Sequence, residues 1–303
     1  MGEKICDVDA FIMEHDVMIN DKTIKNLLIN QSANRTNPDE NKFVECNVEF
    51  SKKENSIFDG LLKNIRPFNY TDERDEDKEL EFYGPLYVLS ENSIYVGQVK
   101  MYQLGPDKRS MEGCREGRGT QFFQDGSYYE GYFVSDTANR KGRLIFCDGD
   151  MYLGDLVDNS MNGNGIYYKK DGSKYTGTFI NDLPEGEGKE EWEDGSIYKG
   201  GYISGCKSGH GEFKFSNGTK YCGNFENDLF SGRGTLHKPD NTSYEGNWVL
   251  GTLQSPAKIN FPNGNVFDGS IDNLIQHGSG VLHDHGVQFI GVWDFGKLQG
   301  DVI

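Results

Sequence analysis

In the stretch KYTGTFI, Tyr175, Gly177 and Phe179 stand at every second position, with Thr176 and Thr178 between them. A period of two puts the first three side chains on one face of an extended strand and the threonines on the other. The stretch follows Asp171-Gly172, a dipeptide that tolerates the positive φ of a tight turn. The pattern returns along the chain. Tyr129, Tyr152, Tyr175, Tyr198, Tyr221, Tyr244 and Phe267 are spaced by 23 residues, and Phe289 follows after 22. Two places after each aromatic stands a glycine, from Gly131 to Gly291, and two places further an apolar residue, from Phe133 to Trp293. A period of this length marks stacked supersecondary units.

The second half of each unit repeats as well. Gly163 and Gly165, Gly186 and Gly188, Gly209 and Gly211, Gly232 and Gly234, and Gly278 and Gly280 each lead into an apolar residue, which predicts a second strand. The unit closes on Asp148-Gly149, Asp171-Gly172, Asp194-Gly195, Asn217-Gly218 or Asn263-Gly264. Each repeat is therefore strand, turn, strand, turn. Neighbouring strands lie about 4.8 Å apart, so a glycine leaves a hollow that a tyrosine ring from a neighbouring strand can cover. The glycines are packing devices.

The unit YTGTFINDLPEGEGKEEWEDGSI resembles a MORN repeat (membrane occupation and recognition nexus), whose pattern runs Y-x-G-x-F/W, a loop, G-x-G and a D-G turn. The register holds from Tyr129 to the C-terminus. In looser form, Tyr95 and Gly97 open a repeat stretched to 34 residues by an insert near LGPDKRSMEG, and Phe58 and Gly60 open one stretched to 37 by NYTDERDEDKELEF. A further closing strand is expected at NVEFSKKENSIF, so the sheet would begin near residue 43. Three departures stand out. Ser255 and Ala257 replace the paired glycines of one repeat, Asp240-Asn241 replaces a D-G turn, and the basic column that family members often carry beside the inter-strand loop is largely missing.

Composition agrees with a thin β protein. Of 303 residues, 39 are glycine and 38 aromatic, while only 35% are hydrophobic, which suits short strands and tight turns. The net charge of −17 is spread evenly, with 16 basic and 24 acidic residues up to position 128 and 15 and 24 after it. Such a surface repels phosphate backbones and anionic headgroups alike, so nucleic acid is not an expected partner. The six cysteines, at 6, 46, 114, 147, 206 and 222, have no zinc-type spacing and read as reduced thiols. No signal peptide and no run of about 18 apolar residues occurs, so a soluble, cytoplasmic chain is expected.

Candidate chemistry is sparse. His283-Asp284-His285 falls where other repeats have their closing turn and reads as a solvated turn rather than a metal site. DGDMYLGDLVDN offers Asp148 and Asp150 but has Tyr152 at the third ligand position of a calcium loop. DERDED, residues 72–77, reads as a solvated, charged insert able to attract a basic partner. No G-x-S-x-G, P-loop or H-E-x-x-H is present, and the G-x-G pieces precede no helix, so neither an enzyme nor a cofactor is expected. Near the N-terminus, Ile24, Leu27 and Leu28 are at helical spacing, and Gly2 and Cys6 raise an acyl anchor as the minority reading, since Cys6 replaces the preferred Ser or Thr and Asp7 and Asp9 are close.

The expected fold is all-β: an elongated single-layer antiparallel sheet of stacked hairpins, with a short, partly helical or irregular N-terminal extension. Residues 1–42 form that extension, 43–128 degenerate repeats with inserts, and 129–303 regular repeats. The resemblance implies a non-enzymatic scaffold of a cytoskeletal or ciliary assembly that binds protein partners. The alternatives are an anionic-lipid module, or the non-catalytic subunit of an enzyme. The expected partner contacts are the aromatic face: Tyr175, Phe179, Tyr198, Tyr202, Tyr221, Phe225, Tyr244 and Trp248.

Overall fold

The computed structural model describes residues 43–45, 68–70, 75–88, 91, 93–104 and 110–299. The helical spacing at Ile24–Leu28, the acylation positions Gly2 and Cys6, the closing strand at NVEFSKKENSIF and the repeat opened by Phe58 lie outside the described residues. The chain packs as two compact units, Met1–Gly172 and Ser173–Ile303.

Both units are antiparallel β. In the first, β1 (Phe43–Glu45), β2 (Glu81–Val88), β3 (Ser93–Leu104), β4 (Ser110–Phe123), β5 (Tyr128–Val134), β6 (Thr137–Ile145), β7 (Met151–Val157) and β8 (Ser160–Tyr168) each pair with their neighbour in sequence. The insert near LGPDKRSMEG is absorbed by lengthening one hairpin, so that β3 and β4 run to 12 and 14 residues. Asp75–Glu79 is a 3-10 helix, the one helical element among the described residues.

The second unit continues the same plan. It contains β9 (Lys174–Ile180), β10 (Leu183–Glu191), β11 (Ile197–Ile203), β12 (Cys206–Lys214), β13 (Lys220–Glu226), β14 (Leu229–His237) and β15 (Ser243–Val249). After β15 come β16 (Thr252–Leu253), β17 (Ala257–Asn260), β18 (Val266–Asp272), β19 (Ile275–Asp284), β20 (Val287–Asp294) and β21 (Lys297–Gln299). Here β16 and β17 share the place of one strand beside β15.

The pairing register explains the repeat. Gly177 faces Gly188, Gly188 faces Gly200, and the row continues through Gly211, Gly223, Gly234 and Gly246. The first unit has an equivalent row, Gly97, Gly119, Gly131, Gly142, Gly154 and Gly165. A Cβ at Gly188 would fall 2.6 Å from Tyr175 Cε2, so the hollow is filled by a ring. The ring covers the glycine of its own strand together with the facing one, where the sequence suggested a neighbouring strand alone.

A bulge completes the motif. Between Glu185 and Gly188 the register of β10 slips, leaving two extra residues that begin at Gly186, φ 71°. The slip frees the Thr178 carbonyl, which accepts the Tyr175 hydroxyl at 3.1 Å. Tyr95, Tyr129, Tyr152, Tyr198 and Tyr221 donate to the carbonyl three residues on in the same way. The first glycine of G-x-G thus serves the backbone and the second serves the ring.

The closing turns have a second device. Asp194 Oδ1 accepts the Ser196 amide at 2.8 Å, and Asp125, Asn217, Asp240 and Asn263 do the same two residues ahead. That bond holds the Asp194 and Asp240 carboxyls below the usual range. Asn241 takes the glycine's positive φ at 67°, which accounts for the Asp240-Asn241 departure. At Ala257 the methyl occupies a position in the glycine row, facing Gly269. Leu253 and Ala257 cover Gly246 there, and Tyr244 Oη instead accepts a 3.2 Å bond from Lys238.

Candidate interaction surfaces

The eight side chains expected to form a partner-binding face are 0 to 6% exposed. They are packed on one another, so the face expected to meet a partner is covered by its own rings. Phe179 meets Tyr175 at 5.1 Å, Tyr175 meets Tyr202 at 5.0 Å, and Tyr198 meets Tyr202 at 5.3 Å and Phe225 at 4.9 Å. Tyr221 then meets Phe225 at 5.3 Å and Trp248 at 5.4 Å. Every one of these contacts is edge to face, the geometry in which the ring quadrupoles attract. Tyr244 stands outside the zipper, held by Lys238. Burial pushes the Tyr175 and Tyr221 phenols up to about 12, because the charged form would lose water.

A cation also enters the zipper itself. Lys207 Nζ lies 4.8 Å from the Trp192 ring centre, 5.3 Å from Tyr198 and 5.7 Å from Tyr202, and bonds Glu190 at 2.8 Å. Arg115 holds the equivalent place in the first unit, two residues before the positive-φ glycine of its hairpin. It is buried and bonds Glu91 through both Nη atoms, at 2.8 and 2.6 Å, and Gln121 at 2.8 Å. Both cations are neutralised inside the fold.

Part of the opposite face of the first unit is covered by Phe68, Tyr70 and Asp77, in and beside the acidic insert. Strand alternation turns Tyr132, Glu130 and Arg118 away from Tyr129 and Phe133. Tyr70 meets Tyr132 edge to face at 5.3 Å, and the Phe68 amide donates to Glu130. Asp77, with no exposed surface, accepts a 2.7 Å bond from Arg140, whose guanidinium lies 3.9 Å from the Tyr132 ring centre. The reading of residues 72–77 as a solvated run is therefore corrected at Asp77. A run of carboxylates looked solvated because its partner, Arg140, is 63 residues away.

The remaining sequence candidates have local roles. His285, at φ 47°, and Gly286 form the two-residue turn into β20, and His285 Nδ1 lies 2.6 Å from Asp284. Asp150 accepts from the Tyr167 hydroxyl and the Lys170 amide, and Asp148 from the Asp150 amide. Among the described residues no group of three His, Cys, Asp or Glu side chains is placed to hold a metal ion. Among them, too, no helix is long and apolar enough to cross a membrane.

Large apolar side chains do reach solvent, some in mid-strand, as at Ile290 and Val292, and many at the hairpin turns. Leu250 is 77% exposed and Ile203 59%. Ile180, Ile203 and Val249 follow the buried ring of their strand by one residue, so they point to the face opposite the rings. On that face the alternation of KYTGTFI places Thr176 and Thr178. The missed signal was an apolar residue just before a two-residue turn, which alternation had assigned to the polar side.

The MORN repeat family matches residues 129–151, 152–174, 175–197, 198–220, 221–243 and 244–266. No curated protein matches the chain. Among solved structures, the chain is similar to the TCP10 domain of Danio rerio CPAP in complex with a peptide of Danio rerio STIL, at 15% identity and a TM-score of 0.38, over 64% of this chain and 84% of that one. It is also similar to the SAS-4 (dCPAP) TCP domain of Drosophila melanogaster in complex with a proline-rich motif of Ana2 (dSTIL), at 14% identity and a TM-score of 0.34, over 57% of this chain and 90% of that one. Six consecutive matches, on the hairpins whose rings and glycines interlock as described, make residues 129–266 an array of MORN repeats.

Proposed function

We propose that this chain is a non-enzymatic scaffold that binds protein partners in a cytoskeletal or ciliary assembly. One observation carries the reading: the repeat columns are spent on folding, and what they leave outside is a periodic surface. Tyr198 and Tyr221 are fully buried, while Ile203 and Leu229, five and eight residues after them, are exposed. A periodic surface offers many similar contacts along the sheet rather than one enclosed pocket. The evenly spread negative charge disfavours the alternative of an anionic-lipid module.

The test is detergent extraction of the native cell. Retention of the full chain with the detergent-insoluble cytoskeleton, together with microscopy placing it on a filament or ciliary structure, is the expected result. Complete release into the soluble fraction would overturn the cytoskeletal reading. Co-flotation of the purified chain with phosphoinositide vesicles, lost as salt is raised, would promote the lipid module instead.

A further inference from the structure

Each of the six hairpins of the Ser173–Ile303 unit places a large apolar side chain in water at its two-residue turn. They are Ile180, Ile203, Leu229, Leu250, Ile275 and Phe295, exposed by 43 to 77%. Because β9 to β21 run up and down in sequence order, the six turns lie along one border of the sheet. Successive turns are two strands apart, about 9.6 Å.

Two of the six oppose the local preferences of the chain. Leu250 has φ 48° and Phe295 φ 41°, the left-handed conformation that Asn181, Asn227 and Asn273 adopt at the same position of other turns. Asparagine tolerates that conformation, whereas a bulky side chain is strained in it. The His277 ring, 4.6 Å away, still leaves Phe295 58% exposed. Folding gains little from either side chain. Strain and exposed apolar surface at the same residue mark a site with another use.

Charge identifies the occupant. Asp182, Glu226, Asp228, Asp272 and Asp294 flank the row and are exposed. Against them stand Lys207, which is bonded to Glu190 and lies 3.7 Å from Asp228, His277, 3.5 Å from Asp294, and Lys297, so carboxylates remain in excess. An apolar row between carboxylates fits an apolar stripe between lysines or arginines. An α-helix repeats one face every seven residues, about 10.5 Å, close to the spacing of the turns. A polyproline helix repeats at a similar distance, but its grooves are lined with aromatic rings, and five of these six side chains are aliphatic.

We propose that the turn border of this unit binds a basic amphipathic helix of a protein partner, with apolar residues at heptad spacing. The proposal rests on the protein-binding reading above and names its surface. Six turns span about 48 Å, or about 32 residues of helix.

The test is fluorescence anisotropy of the full chain with a labelled 32-residue peptide, roughly the length of the turn row, carrying Leu at the first and fourth heptad positions and Lys and Ala elsewhere. A second peptide has the same composition with the leucines scattered. The variant Leu250→Asn/Phe295→Asn should bind the striped peptide about tenfold more weakly. Its melting point should be unchanged or raised, because asparagine suits these turns. If that variant melts earlier, Ile203→Thr/Leu229→Thr, at strand ends, replaces it. Equal binding of the two peptides, unchanged affinity in the variant, or tighter binding of a proline-rich peptide would overturn the proposal. So would flotation with phosphatidylcholine vesicles that the variant loses. Detergent extraction of cells expressing the same variant separates the two readings. Wild type retained and variant released supports the turn border. Both retained overturns it and leaves the scaffold. Both released removes the scaffold, and the titration then decides the border.

Discussion

Arg140 bonds Asp77 at 2.7 Å across 63 residues of sequence, and it does so from a left-handed backbone, φ 59°. The equivalent position in neighbouring hairpins is Gly163, Gly186, Gly209 or Gly232, all with positive φ. Arg140→Gly would relieve about 1 kcal/mol of backbone strain. It would also remove the charge facing a buried carboxylate, which costs about 3 kcal/mol. The second effect wins. Arg140→Gly should lower stability by about 2 kcal/mol, and Asp77→Asn added to it should recover part of the loss in denaturant titrations. A more stable Arg140→Gly would show that the pair contributes less than the strain.

The two glycines of G-x-G should respond to alanine for different reasons. Gly188→Ala brings a methyl to 2.6 Å from the Tyr175 ring and should cost about 1 to 3 kcal/mol through overpacking. Gly186→Ala meets nothing within 4 Å and should cost about 1 kcal/mol, from its φ of 71° alone. Tyr175→Leu should shelter the first substitution and leave the second unchanged. A double-mutant cycle with equal coupling for both glycines would refute this division.

The repeat was legible because it rests on short-range rules. Tyr175, Gly177 and Phe179 declare a strand by alternation, and Asp194-Gly195 declares a turn by its chemistry. What was not legible required partners distant in sequence or a count of neighbours. The Asp77–Arg140 pair spans an insert with no repeat to align it. The burial of Tyr202 depends on Tyr175 arriving from β9, two strands away, so a single-strand reading left the ring exposed. The closing strand Ala257–Asn260 survives although its glycines are lost, because Leu253 fills the hollow that Tyr244 leaves.

Alkaline titration should loosen the ring zipper. Burial raises the Tyr175 and Tyr221 phenols to about 12 in the folded chain, against about 10 when unfolded. Between these values the unfolded chain has released protons that the folded chain keeps, so stability falls as pH rises from 10 to 12. Tyr221→Phe loses the hydroxyl bond to Asn224, at a cost of about 1 kcal/mol near neutrality. Its melting curve should then fall less steeply above pH 10 than that of the wild type. Parallel curves would show that Tyr221 is not coupled to unfolding.

Acid should act on the first unit through Glu91. Burial opposes its charge, but the hydrogen bonds and charge of the Arg115 guanidinium outweigh that and hold the carboxyl below the usual range. A carboxyl whose folded value is depressed contributes stability above its unfolded value, about 4.3, and loses it as pH falls through the folded one. Glu91→Gln should therefore weaken the protein near pH 7, with the gap to wild type closing below about pH 4. Tryptophan fluorescence would miss this, since Trp192, Trp248 and Trp293 all belong to the Ser173–Ile303 unit. Hydrogen exchange on peptides from β3 to β5 reads the right region. In wild type those amides should lose protection on acidification, and in Glu91→Gln the loss should be smaller. If the difference between wild type and Glu91→Gln persists unchanged at pH 3, the Arg115 contact does not set the acid stability of this unit.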